Sequence, residues 1–153
     1  LGSVATAVSE RFRVVTAEAH VPLVIVVILN WNRCDDTIRC VESVQRLRHP
    51  RFTVVVVDNG STDGSPGTLA ARFPGLEVIE TGSNLGYAGG NNVGINWALG
   101  RGADYVLILN NDTIVDPDML TELTRVAGGD RTIGVVGPKV LCEPDRHLLY
   151  SCG

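Results

Sequence analysis

Apolar residues in this chain come in short runs that stop abruptly on amides and carboxylates. Leu23-Val24-Ile25-Val26-Val27-Ile28-Leu29 ends on Asn30-Trp31-Asn32, and Thr53-Val54-Val55-Val56-Val57 ends on Asp58-Asn59-Gly60. Tyr105-Val106-Leu107-Ile108-Leu109 ends on Asn110-Asn111-Asp112. Continuous runs of this kind predict strands buried on both faces, as in a parallel sheet covered by helices. Leu76 to Glu80 alternates less cleanly and predicts a further strand. Ile133 to Leu141 predicts a fifth, and the kink at Gly137-Pro138 places it at an edge or a break.

Helical spacing fills the intervals. Ile38, Val41, Val44 and Leu47 follow Asp35-Asp36-Thr37 at three-residue steps, and His49-Pro50 closes that pattern. Leu69, Ala70 and Phe73 carry the next helix, with Asp63 or Ser65 as its cap and Pro74-Gly75 as its stop. A third helix runs from about Ala88 to Leu99. Asp116-Pro117 opens a fourth, whose apolar face is Met119, Leu120, Leu123 and Val126 before Gly128-Gly129. Strand and helix alternate without an internal repeat, which implies an α/β fold built on a right-handed, mostly parallel sheet with helices on both faces.

The polar residues that end three of the strands then share one sheet edge, and in open α/β sheets ligands bind at that carboxyl edge. A carboxylate placed as Asp112 is can hold a metal or a phosphate-bound cation. Any one of these residues alone would read as a turn or a cap. The stretch Thr81 to Gly94 has four glycines between Gly82 and Gly90, just before a helix. Such a loop can accept a diphosphate through backbone N–H groups and the helix dipole. Tight packing of helix on strand explains the glycines equally well. The stretch contains neither G-x-G-x-x-G nor a Walker A sequence, so neither the dinucleotide nor the P-loop reading applies.

Composition narrows the classes. The 153 residues suit one domain, and 44% hydrophobic with 20% charged residues describes an ordered globular chain. A net charge of −4 supplies no basic field for nucleic acid. The four cysteines, Cys34, Cys40, Cys142 and Cys152, form no C-x-x-C pair, which implies unpaired thiols in a reducing compartment. His20, His49 and His147 form no motif and read as surface or linker residues. The run from Val21 to Leu29 is too short to span a bilayer and lacks the flanks of a secretion signal. The expectation is a cytoplasmic protein without a transmembrane segment, with peripheral membrane association and a homo-oligomer left open.

With these motifs in place, the chain resembles the family 2 glycosyltransferases of GT-A fold, in particular their rhamnosyltransferase-like branch. The resemblance rests on the first strand through Asn32, on Val57 to Ser65, on Asn84 to Gly94 and on Leu109 to Asp112. It covers about residues 22 to 141. Residues 1–21 are set apart as an N-terminal extension, and residues 22–153 as a GT-A nucleotide-sugar-binding domain, the donor half with the C-terminal acceptor part missing.

The resemblance implies transfer of a sugar from a nucleoside-diphosphate sugar to an acceptor hydroxyl of a glycan or lipid-linked molecule, with inversion. It implies Asn30 and Asp58 at the nucleoside, and Asn84, Gly86, Gly89, Asn91, Asn110 and Asn111 around the rest of the donor. Asp112 matches the last position of the family's D-x-D motif and would hold Mg²⁺ or Mn²⁺. One carboxylate suffices when substrate phosphates and water complete the shell. The family's catalytic base lies beyond the fifth strand, and Glu143 and Asp145 come too early to match it, so the catalytic residue is unassigned. A nucleotide-sugar-binding module without turnover is the competing reading. Nucleotidyltransferase chemistry would want a Gly-rich basic loop where Asn30-Trp31-Asn32 stands.

Overall fold

The structure, a computed structural model, describes residues 20–142 and 149–152. Its main sheet holds β1 (Val24–Asn30), β2 (Phe52–Asp58), β3 (Glu77–Glu80) and β4 (Tyr105–Asn110), all parallel, in the order β3-β2-β1-β4. The helices α1 (Cys34–Val44), α2 (Ser65–Arg72) and α3 (Gly86–Leu99) connect them, and α4 (Met119–Gly129) follows. Asn30 pairs with Asp58, and Leu29 with Asn110, so the polar ends of three strands lie level at one edge.

β1 is central, and Val24 to Ile28 are all at most 2% exposed. Burying each such side chain contributes roughly 1.5–3 kcal/mol, which makes this strand the main apolar anchor of the fold. Its alternate residues feed two cores. Val24, Val26 and Ile28 pack with Val41, Val44, Leu69, Phe73 and Leu120, the side of α1, α2 and α4. Ile25 and Val27 pack with Val55, Val57 and Ala98, the side of α3. Helices therefore cover both faces.

α3 approaches the sheet closely because it has no side chain at two contact points. A Cβ on Gly94 would lie 2.3 Å from Val27 Cγ1, and one on Gly90 would lie 2.4 Å from Leu29 Cδ1. Packing accounts for these two glycines. At α2 the Asp63 carboxylate accepts the Ser65 N–H at 3.0 Å and the Ser65 hydroxyl, which hold its pKa below the usual carboxylate value.

Four expectations change. β4 is half-buried rather than covered on both faces, with Ile108 45% exposed, because β1 is its only strand partner among the described residues. The expected fifth strand shrinks to β5 (Lys139–Leu141), which pairs antiparallel with β6 (Leu149–Cys152) in a separate two-stranded sheet. Residues 133–138 form no strand, and they line an apolar cleft of about 400 Å³ against Tyr105, Leu107 and Leu120. His49 is 6% exposed and not a surface residue, since its Nε2 lies 3.0 Å from the Pro22 carbonyl oxygen. His20 is exposed beside Asp104, and His147, Glu143 and Asp145 lie outside the described residues. Most of the expected N-terminal extension also lies outside them. The fourth helix starts after Pro117, whose neighbour Asp116 accepts the Asp118 N–H at 2.8 Å.

Candidate functional site

Beneath the carboxyl edge of the sheet lies a buried polar layer. Asn30 is fully buried and Asp58 is 1% exposed. Asn30 Nδ2 donates to Asp58 Oδ2 at 2.7 Å and to Ser61 Oγ at 3.1 Å. The other Asp58 oxygen accepts the Ser61 N–H at 2.8 Å. Thr37, on the inner face of α1, donates to Asn30 Oδ1 at 2.7 Å and accepts from Asn111 Nδ2 at 2.9 Å. Each polar group has a partner, as a buried group requires.

Above this layer opens a cleft of about 460 Å³. One wall is Asn110, Asn111 and Asp112, and the other is Asn84, Gly86 and Tyr87. Trp31, Leu29 and Asn59 complete the lining. Tyr87 bridges the two walls, its hydroxyl donating to Asn110 Oδ1 at 3.1 Å. Trp31 and Tyr87 are 53% and 62% exposed, and large aromatic faces left open at a polar edge suit contact with a ligand.

Asn59 shapes the glycine-rich wall. It is 2% exposed, accepts the Leu85 N–H at 3.0 Å, and donates to Asn84 Oδ1 at 3.0 Å and to the Gly86 carbonyl at 3.2 Å. The β2 end thus holds the loop that enters α3. The N-cap Leu85 makes no side-chain cap bond, and Asn84 Oδ1 accepts the Gly86 N–H at 2.8 Å, so α3 brings the positive end of its dipole to the cleft beside Tyr87.

The donor set around Asp112 is hard oxygen: one exposed carboxylate and two neighbouring amides. Asp112 forms no ion pair, and no group of three or more His, Cys, Asp or Glu residues could hold a metal, among the described residues. These residues fit Mg²⁺ or Mn²⁺ only as a partial shell, completed by oxygens from a ligand and water. Behind this turn, burial pushes the Cys40 thiol up to about 11, and the charge of Asp112 adds a smaller push in the same direction. Cys40 is thus a neutral packing residue, donating to the Asn110 carbonyl at 3.6 Å.

Residues 25–150 match the model of the family described as glycosyl transferase family 2. The chain belongs to that family. It is 33% identical over 108 residues to the N-acetylglucosaminyl-diphospho-decaprenol L-rhamnosyltransferase of Mycobacterium tuberculosis, covering 65% of this chain and 34% of the relative. It is 35% identical over 108 residues to the succinoglycan biosynthesis protein ExoO of Rhizobium meliloti, covering 70% of this chain and 30% of the relative. Among solved structures, the mannosyltransferase PcManGT of Pyrobaculum calidifontis, in complex with GDP-Man and Mn²⁺, superposes with a TM-score of 0.66. It is 27% identical, and the match covers 84% of this chain and 38% of that one. S. aureus TarS in complex with UDP-GlcNAc shares the fold at 20% identity and a TM-score of 0.58, over 80% of this chain and 41% of that one. The fold is GT-A, and the chain spans about a third of the length of the first relatives.

Within this family 2 chain, the structure brings five of the expected donor residues to the cleft: Asn84, Gly86, Asn110, Asn111 and Asp112. It does not bring the other four to the surface of the cleft. Asn30 and Asp58 lie below it, and Gly89 and Asn91 lie on α3. Asn91 is 3% exposed and donates to the Tyr87 carbonyl at 2.9 Å, while its Oδ1 has no partner. Trp31, Asn59, Tyr87 and Thr37 were absent from the expected set. Trp31, Asn59 and Tyr87 stood inside the motifs that carried the resemblance, so their signal was position, while Thr37 gave none beyond its helix.

Proposed function

We propose that this cleft holds a nucleoside-diphosphate sugar, and that the protein transfers the sugar to an acceptor hydroxyl with inversion. The observation that carries the reading is the position of Asp112. It is an exposed carboxylate at the carboxyl edge of a parallel sheet, facing the N-terminal turn of α3 across a cleft lined by amides. A carboxylate alone would repel a diphosphate, so the pair makes sense with a divalent cation between them. A bound Mg²⁺ or Mn²⁺ would neutralise charge developing on the leaving diphosphate.

The chain's own residues then divide the donor. Asp112, with the amide oxygens of Asn110 and Asn111, takes the cation side. The first turn of α3, at Tyr87 and Ala88, offers N–H groups to the phosphates, with Gly86, Gly89 and Asn91 supporting that turn. Asn30 and Asp58 stand at the nucleoside end. Each Asp58 oxygen makes one hydrogen bond and retains a lone pair for a ribose hydroxyl or a base N–H. Asp58 is 1% exposed, so a nucleoside reaches it only when a residue covering it moves. The rhamnosyltransferase relative is named for a decaprenol-linked substrate, and PcManGT carries GDP-Man with Mn²⁺. The first supports a lipid-linked glycan acceptor and, with the succinoglycan biosynthesis relative, a role in cell-wall or polysaccharide synthesis, and the second supports a nucleoside-diphosphate sugar donor with a divalent cation.

The test is a thermal-shift panel of nucleoside diphosphates and their sugars, each with and without Mn²⁺, followed by calorimetry on the best ligand. Stabilisation by one base series, larger with metal, is expected. A flat response across the panel with metal saturating would sink the reading. Transfer to a polyisoprenoid-linked glycan, measured on the same preparation, separates an enzyme from a binding module.

A further inference from the structure

We propose that Thr37 is a positioning residue for the donor cleft, fixing the amide of Asn111 through a one-way chain of hydrogen bonds that ends on the buried carboxylate of Asp58. This rests on the donor-site reading for its consequence, though not for its geometry. The chain runs from Asn111 Nδ2 to Thr37 Oγ1 at 2.9 Å, from Thr37 Oγ1 to Asn30 Oδ1 at 2.7 Å, and from Asn30 Nδ2 to Asp58 Oδ2 at 2.7 Å. It links three strand ends through a single helix residue. Thr37 and Asn30 are fully buried, and Asp58 is 1% exposed.

Proton accounting gives the chain its direction. A carboxylate only accepts, so Asn30 must turn its NH₂ toward Asp58, and its carbonyl oxygen then faces Thr37. A hydroxyl has one proton. The Thr37 proton goes to Asn30 Oδ1, which at 2.7 Å is closer than the alternative acceptor, the Arg33 carbonyl at 3.1 Å. What Thr37 Oγ1 then offers to Asn111 is acceptor lone pairs, and the only donor an asparagine side chain can bring to them is its N–H. Asn111 must therefore offer Nδ2 inward and leave Oδ1 for the cleft. An amide turned the other way would set two acceptors against each other in a buried place.

The consequence is chemical. Asn111 presents a neutral oxygen acceptor next to the Asp112 carboxylate. Asp58, on a different strand, thereby decides that the cation side of the cleft shows oxygen rather than N–H. Thr37 has no lining position of its own and acts only through Asn111.

The test compares Thr37→Val, which keeps the shape and loses the hydroxyl, with Thr37→Ser, which keeps the hydroxyl. The first readout is the side-chain NH₂ signal of Asn111 in nitrogen-15 correlation spectra of the ligand-free protein. It should move toward solvent-like shifts and faster exchange in Thr37→Val and in Asp58→Asn, and stay in place in Thr37→Ser. The second is the ratio of nucleoside diphosphate affinity with and without Mn²⁺. It should fall by about three- to tenfold in Thr37→Val, the range one hydrogen bond carries, and by less than about twofold in Thr37→Ser. Asn111→Ala should lower the ratio similarly, and adding Thr37→Val to it should lower it no further. Should Thr37→Val not fold, Thr37→Ala is read in the same way. An unmoved Asn111 signal, or additive losses in the double variant, would overturn the proposal. If the wild type binds no nucleoside diphosphate at all, the donor reading falls and the spectra alone decide the positioning role.

Discussion

Asn30 and Asp58 face each other across β1 and β2 as register partners, and their side chains meet in a 2.7 Å hydrogen bond within the buried interior. Two strands separated by a whole helical crossover are thus joined at their polar ends by a charge-assisted bond. Asp58→Ala would leave Asn30 Nδ2 and the Ser61 N–H short of an acceptor, so it should cost about 1–3 kcal/mol of stability. It should also weaken nucleotide binding in metal-free buffer. Urea denaturation and metal-free calorimetry check the two effects, and unchanged metal-free affinity would confine Asp58 to a structural role.

Asp112 is the charged member of its wall and lies exposed. Asp112→Asn keeps the shape and removes the charge. The gain in nucleoside diphosphate affinity on adding Mn²⁺ should vanish while metal-free binding stays within about twofold, because the cation needs both protein and phosphate oxygens. A nucleoside without phosphates should gain nothing from metal in either protein. Equal metal enhancement in wild type and variant would remove Asp112 from the cation site.

Gly94 and Gly128 are both helical glycines with opposite surroundings. The Cβ of Gly94→Ala would press on fully buried Val27, whereas nothing lies within 4 Å of a Cβ at Gly128. Gly94→Ala should destabilise by about 1–3 kcal/mol through overpacking. Gly128→Ala should stabilise by roughly 0.4–1 kcal/mol by narrowing the unfolded ensemble. Thermal melts of the two variants side by side decide this, and a Gly94→Ala protein as stable as wild type would contradict the close approach of α3.

The Cys40 thiol is raised from 9.0 to about 11, first by burial. A folded-state pKa above the unfolded value means the native state holds its proton longer. That contribution to stability is complete below pH 9 and is lost as pH rises through about 11. Cys40→Ala should remove this part of the alkaline slope. At pH 8, native Cys40 should resist alkylation while the partly exposed Cys34 reacts, as mass spectrometry can show. Rapid modification of native Cys40 would contradict its burial.

Much of the architecture was legible along the chain. Runs such as Val24 to Ile28 and Val55 to Val57, β-branched and short, read as buried strands, and runs that stop on Asn30, Asp58 and Asn110 read as the carboxyl edge of a parallel sheet. Those are local facts, carried by the two-residue alternation of a strand and the cost of burying polar groups. The sequence also marked Asp112 and the Asn84 to Gly94 loop as candidate parts of one donor site, and only the structure sets them on opposite walls of a cleft. Local pattern could not tell which polar strand-end residues turn inward. Asn30 is drawn under the cleft by Asp58, 28 residues away, and Asn111 is tied to Thr37 from 74 residues away. Tyr105 to Leu109 read as a strand buried on both faces because the run is apolar throughout, yet its outer side has no strand partner among the described residues. Residues 133–138 carry a strand-like Val135-Val136 pair between glycines and Pro138, and they pair with nothing in the main sheet. Ladder partners and side-chain hydrogen bonds come from distant elements, so tertiary structure alone chose the edge, the floor and the walls.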